Sequence, residues 1–250
     1  MWTLVIYLKK SDHMKEILKI AIRQKTRKFL EDRISGIEKM RFDDIEINPF
    51  LIASIKNQFD MKNQRDLAEW IVNQRVERGL VTAFGGTLQK IAKEFANVKT
   101  TPGFTMSIKK NGCTYNILIT SGPNPYAKPQ AVPIVKRMLE SAEREPRTMP
   151  VLGMCYGNND VVSNVVKTEF KEIKYLAGRD FWEFISGDSK CRDEVLEVIY
   201  ETANKFQDSE KRNIQRIKEK KIKEIEDVLR YNYGRDKNKF WKKLFRDVYI

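Results

Sequence analysis

Phe104-Thr105-Met106-Ser107-Ile108-Lys109-Lys110-Asn111-Gly112-Cys113-Thr114-Tyr115-Asn116-Ile117-Leu118-Ile119-Thr120 is the stretch on which the fold turns. Apolar and polar residues alternate on both sides of Asn111-Gly112, the dipeptide that best suits a two-residue hairpin turn. Such a turn sets Lys110 opposite Cys113, and the register follows by counting. Met106 then faces Ile117, Ile108 faces Tyr115 and Thr105 faces Leu118. One face of the hairpin carries Phe104, Met106, Ile108, Tyr115, Ile117 and Ile119, a core surface. The other carries Thr105, Ser107, Lys109, Thr114, Asn116, Leu118 and Thr120.

Downstream, Val135–Glu145 has helical spacing and is stopped by Pro146. Val151–Tyr156 is nearly all apolar, as expected of a strand buried on both faces. Glu172–Ala177 is a further strand candidate. Asp180–Ile185 reads as a short helix ending near Gly187, and Val195 to Phe206 as a longer one. Upstream, Met14 to Leu30 keeps helical spacing, which predicts an amphipathic helix over about Asp12–Arg33. Asn48-Pro49 is a cap followed by proline at the first helical position. Asn63 opens a helix that ends at Gly79, and Thr87 opens a third, short one. These elements predict a mixed α+β (α/β) fold: a sheet of about four or five mixed strands flanked by helices. The expected segments are a helical part over 1–98, a sheet-containing core over 99–207 and a basic helical tail over 208–250.

The tail carries the helical stripe Ile214, Ile217, Ile222, Ile225, Val228 and Leu229. Seven basic residues and one acid lie between Lys211 and Lys223, and six more basic residues follow from Arg235 to Arg246, interleaved with Phe240, Trp241 and Phe245. Three readings stand for it: a solvated helix packing its stripe on the body, an arm gripping phosphates, or a membrane-surface helix.

Of 250 residues, 41% are hydrophobic, enough for a sizeable core, and Lys plus Arg exceed Asp plus Glu by 47 to 34, a net charge of +13. That surplus points to a polyanionic partner, nucleic acid first. The three cysteines, Cys113, Cys155 and Cys191, are scattered, and the lone histidine is His13. A zinc site, a disulfide framework and a histidine-based nucleophile are all disfavoured, and reduced thiols suggest the cytoplasm. Leu4–Leu8 is too short to span a membrane and lacks the flanks of a signal peptide. It is an edge strand, or translation starts at Met14 and it precedes the protein proper.

Four stretches carry a family likeness: Ile47-Asn48-Pro49-Phe50-Leu51; Thr82-Ala83-Phe84-Gly85-Gly86-Thr87-Leu88-Gln89-Lys90; Thr101-Pro102-Gly103 running into the hairpin and on to Ser121-Gly122-Pro123-Asn124; and Gly153-Met154-Cys155-Tyr156-Gly157 with Gly178-Arg179-Asp180-Phe181-Trp182 and Ser186-Gly187-Asp188. In order and spacing, over about Asp44–Phe206, they resemble type II restriction endonucleases of the TdeIII/PmeII kind. The resemblance implies a PD-(D/E)xK nuclease core, in which strand carboxylates hold Mg²⁺ and a lysine two residues on helps orient the attacking water. Here the pattern departs. Where the family has Thr-Pro-Gly-Ile-Asp-Ile-Glu, the acids map onto Thr105 and Ser107. Where it has Gln-Leu-Lys-Ser-Gly-Pro-Asn, the first position maps onto Leu118 and the lysine onto Thr120. Neutral hydroxyls and an alkyl chain are poor ligands for a hard divalent cation.

The resemblance and the charge together imply a double-stranded DNA-binding protein without intact catalytic residues. No metal or other cofactor is then expected, and Lys109, Asn124, Lys128, Lys211, Arg212, Lys220, Lys221, Lys242 and Lys243 are the candidate DNA contacts. Partners would be a second copy or a nuclease/methyltransferase system, with no membrane. One alternative is an active Mg²⁺-dependent type II endonuclease with relocated ligands, Glu94 foremost and Lys109 or Lys128 as a migrated lysine. Another is a helical assembly protein working through the tail stripe.

Overall fold

The computed structural model describes residues 14–144 and 146–247. His13, Leu4–Leu8, the choice of start and the helix end at Glu145 lie outside them. The residues fall into two compact units, one made of 1–27 and 83–205, the other of 28–82 and 206–250.

The first unit is built on the hairpin. Asn111 and Gly112 take φ of 52° and 76°, the left-handed pair that a two-residue turn of this hand requires. β1 (Met106–Lys110) and β2 (Cys113–Thr120) pair antiparallel with Lys110 opposite Cys113, Ile108 opposite Tyr115 and Met106 opposite Ile117. β3 (Thr148–Met154) runs parallel to β2, and β4 (Lys174–Ala177) parallel to β3, giving one four-stranded mixed sheet in the order β1-β2-β3-β4. β3 begins and ends earlier than Val151–Tyr156, because Thr148 pairs with Thr114 while Tyr156 has left the ladder. β4 is shorter than Glu172–Ala177.

Both faces of this sheet are covered. Met106, Ile108, Ile117, Ile119 and Val151 pack with Ile22, Ile91, Phe181 and Val195. Leu118, Leu152 and Met154 pack with Ala131, Met138, Val166 and Phe170. Phe104 belongs to the second group, opposite to its expected face. The cause is a break in register at the strand entrance. Thr105 N–H donates to the Ile117 carbonyl at 2.9 Å, one residue away from the expected Leu118, so the alternation stops there.

Helices α4 (Lys128–Arg144), α5 (Asn164–Glu169), α6 (Arg179–Ser186) and α7 (Cys191–Asn204) complete this unit. α4 begins before Val135 and takes Pro133 inside its second turn, where the ring forfeits one ladder bond, to the Pro129 carbonyl. α6 ends at Gly187, φ 79°, as a glycine stop should.

The second unit is helical. α2 (Pro49–Ile55) is capped by Asn48, whose side chain accepts from Leu51 N–H at 3.1 Å. α8 (Ile214–Tyr233) and α9 (Lys237–Asp247) lay Ile217, Ile222, Ile225, Leu229, Phe240, Trp241 and Leu244 against Ile34, Ile37, Ile52, Leu67, Ile71 and Val72 in one core. The tail stripe is therefore consumed within the chain. It is not an open surface for a partner helix.

Two long helices run through both units, and both differ from expectation. α1 (Glu16–Glu38) continues past Arg33. α3 (Gln64–Ala92) is a single helix where two were expected. Its start is as read: Asn63 Oδ1 accepts from Arg65 N–H at 2.8 Å, while the Asp66 carboxylate accepts from Asn63 N–H at 3.0 Å, a reciprocal cap. Gly79 does not end it. A mid-helix glycine costs only about 1 kcal/mol, and burial of Leu67, Ile71, Val72, Val76, Ile91 and Ala92 along the same helix outweighs that. Thr87 is no cap either. Its hydroxyl donates back to the Ala83 carbonyl at 3.1 Å, the bond that lets threonine sit inside a helix.

Candidate functional site

The polar face of the hairpin gathers Ser107, Asn116, Leu118 and Thr120 in the first unit, while Thr105, expected on the same face, precedes β1 at the point where the alternation breaks. Ser107 and Asn116 are paired directly across the strands and both are fully buried. The Ser107 hydroxyl donates to Asn116 Oδ1 at 2.6 Å, and the Thr101 hydroxyl donates to the same oxygen at 3.0 Å. Ser107 Oγ in turn accepts from Thr101 N–H at 3.2 Å. Thr101-Pro102-Gly103 is thereby folded back onto the strand it precedes. Asn116 Nδ2 has no hydrogen-bond partner among the described residues.

Thr105 is spent on backbone. Its Oγ1 accepts from Ile119 N–H at 2.9 Å, standing in for the main-chain carbonyl that a continued ladder would present. Thr120 is buried, and its hydroxyl donates to the carbonyls of Gly122 at 3.3 Å and Gly153 at 3.4 Å. Leu118 is half-buried among the aliphatic residues of the α4–α5 side. Thr105 and Thr120 lie on the adjoining strand segments of one hairpin, each hydrogen-bonded to main chain.

Other segments of the family likeness meet close by. A Cβ on Gly85 of α3 would sit 3.0 Å from the Ser121 Cβ, so the helix backbone abuts the Ser121-Gly122-Pro123-Asn124 loop. Gly178, φ 55°, faces the Gly157 carbonyl so closely that a Cβ would come within 2.0 Å of the oxygen. These glycines let the loops after β2, β3 and β4 close on each other, and Trp182 Nε1 donates to the Cys155 carbonyl at 2.8 Å to hold the cluster.

The donor set does not fit a divalent cation. The face offers hydroxyls, a carboxamide and an alkyl chain, already bonded to one another or to main chain, and a hard cation needs at least one or two carboxylates. No group of three or more His, Cys, Asp or Glu that could hold a metal occurs among the described residues. Glu94 sits on a one-turn 3-10 helix after α3, with its carboxylate 2.7 Å from the Lys25 ammonium of α1. The two buried thiols are quiet: burial pushes Cys155 up to about 12 and Cys191 up to about 11, so neither of these is a thiolate near neutral pH.

The candidate DNA contacts divide. Lys109 projects from the edge strand, whose backbone is clamped by Asn97: Lys109 N–H donates to Asn97 Oδ1 at 2.8 Å, and Asn97 Nδ2 to the Lys109 carbonyl at 3.2 Å. Asn124 is exposed in the loop before α4, and Lys128, exposed at the start of that helix, lies 3.5 Å from Glu169. Lys211, Lys220, Lys242 and Lys243 are exposed, Lys243 with its ammonium 2.6 Å from the Asn232 carbonyl. Arg212 and Lys221 are turned inward. Arg212 is held by Asp208 at 2.7 Å and by Glu38. Lys221 is buried, donating to the Glu38 carbonyl at 2.9 Å and to Glu224 at 2.5 Å. Helical spacing puts both in a basic run, but spacing does not reveal that Glu38, more than 170 residues away, waits for them.

No helix among the described residues is long and apolar enough to cross a membrane. No curated protein matches the chain. The family of the type II restriction endonuclease EcoO109I matches residues 15–208, a span that begins at α1 and includes the whole sheet with its flanking loops. On that match the chain belongs to the EcoO109I family of type II restriction endonucleases.

Proposed function

We propose that the chain is a double-stranded DNA-binding member of this family, nearer the TdeIII/PmeII kind, with a PD-(D/E)xK-type core whose hydrolytic residues have been replaced. The observation that carries the reading is the set of side chains along the hairpin and its entrance. Thr105, Ser107, Leu118 and Thr120 stand at the positions where the resemblance calls for acids and a lysine; the three hydroxyls serve the fold and Leu118 packs with aliphatic neighbours. Loss of carboxylates there lowers the repulsion felt by a phosphodiester. The charge supports a polyanionic partner for both units: 24 basic and 16 acidic residues fall in the first, 23 and 18 in the second. A family that acts on duplex DNA also makes a second copy, or a companion nuclease or methyltransferase, the natural partner, in the cytoplasm where such DNA lies.

The test is incubation of the purified protein with plasmid and Mg²⁺ or Mn²⁺, beside a Thr105→Asp, Thr120→Lys double variant and with a parallel measurement of duplex binding. Binding without cleavage by the unmodified chain is expected. Site-specific double-strand breaks that disappear in Glu94→Ala would establish the active-enzyme alternative instead.

A further inference from the structure

We infer that the second unit carries its own pocket for duplex backbone phosphate, formed by Lys56, Lys62 and Lys237 around Trp241; this rests on the DNA-binding reading and names a surface for it. The cavity is about 440 Å³ and is framed by the turn after α2 and the first turn of α9, segments about 180 residues apart in sequence. The two are pinned together. Trp241 Nε1 donates to the Lys62 carbonyl at 3.2 Å, and the Lys56 ammonium stands 5.0 Å from the Trp241 ring centroid. Three lysines therefore line one opening, with Asn57 and Asn238 as neutral polar neighbours.

The acid in the lining is Asp60, 2.7 Å from Lys62, both side chains mostly exposed. An exposed pair of this kind is weak, so a phosphate can displace it. Asp236, which caps α9 through Lys239 N–H at 2.8 Å, and Asp66, whose carboxylate accepts from Lys62 N–H at 2.7 Å, are further negative groups nearby. Three lysines against Asp60 leave the lining cationic. Lysines are point charges that suit phosphate oxygens, and they do not present the forked donors that read base edges. The indole excludes the competing assignment to single-stranded bases, which need an open aromatic face. Trp241 is only 8% exposed, and its ring is met by Phe240, Phe245 and the Lys56 ammonium.

The experiment follows anisotropy of a labelled duplex across a salt series, using the full chain. In Lys56→Gln/Lys62→Gln/Lys237→Gln the log–log salt slope is expected to fall by about 1–2, roughly 0.9 for each phosphate no longer neutralised. A charge-matched Lys15→Gln/Lys190→Gln/Lys205→Gln variant is expected to change it less. Asp60→Asn guards against misfolding as an explanation. Its φ of 50° is one that asparagine adopts readily, and removal of its charge is expected to tighten binding about 2- to 5-fold. Equal slopes for the two triple variants, with no gain from Asp60→Asn, would overturn the pocket while leaving DNA binding intact. Absence of duplex binding by the unmodified chain would overturn the functional reading itself. Tighter binding of a single strand than of the duplex, abolished in the pocket variant, would refute the assignment to duplex backbone.

Discussion

Removing residues 206–250 tests whether the basic tail is a detachable arm. From the sequence, removing the tail should flatten the salt dependence of DNA binding without unfolding the hairpin. The packing adds a cost in the second unit. Ile34, Ile37, Ile52, Met61, Leu67, Ile71, Val72 and Val76 share one core with Phe206, Ile217, Ile222, Ile225, Leu229, Phe240, Trp241 and Leu244. Full burial of such a side chain stabilises by about 1.5–3 kcal/mol. If each of the eight that remain loses about half of that, the cost is roughly 6–12 kcal/mol, comparable to the whole stability of a domain, about 5–15 kcal/mol. Hydrogen exchange followed by peptide is the assay. Residues 28–82 are expected to lose protection, with dye binding to newly exposed apolar surface, while the hairpin amides keep theirs. A milder form is Phe240→Ala in the full chain, expected to cost about 3–5 kcal/mol for a fully buried ring. Unchanged protection over 28–82 in the truncated protein would refute the shared core and restore the independent arm.

Two further outcomes are expected. Ser107→Ala removes a buried donor to Asn116 Oδ1 and the acceptor for Thr101 N–H; a loss of about 1–3 kcal/mol in urea unfolding is expected, and a change under about 0.3 kcal/mol would show the network to be unimportant. Burial opposes ionisation of Asp208, but the backbone N–H and guanidinium of Arg212 and the backbone N–H of Glu210 outweigh it and hold the carboxyl below its ordinary 3.8. A lowered folded value means the contribution is present above about pH 4 and is lost as pH falls through the folded value. Asp208→Asn should accordingly flatten the dependence of the thermal midpoint on pH below about 4, and an unaltered acid limb would show that other groups govern it.

Features fixed by neighbours in the chain could be read directly from the residues. Asn111-Gly112 sets the register of β1 on β2 because left-handed backbone at two successive residues admits one geometry. Asn48 and Asn63 mark helix starts because their side chains reach N–H groups two or three residues on. The same counting placed Ser107 and Asn116 on one face. The tertiary structure alone decided everything in which burial competes with a local preference or in which partners are far apart. Gly79 and Thr87 punctuate a sequence, yet α3 passes through them since apolar side chains at both ends of the helix need a core to enter. Phe104 and Thr105 leave the alternation because the Thr105 hydroxyl replaces a ladder carbonyl. Arg212 and Lys221 look like surface charges until Glu38 is brought to them, and Lys56 meets Trp241 only in the folded unit. Charge is counted along a chain, but its availability to a ligand depends on which carboxylates the packing of distant segments has set beside it.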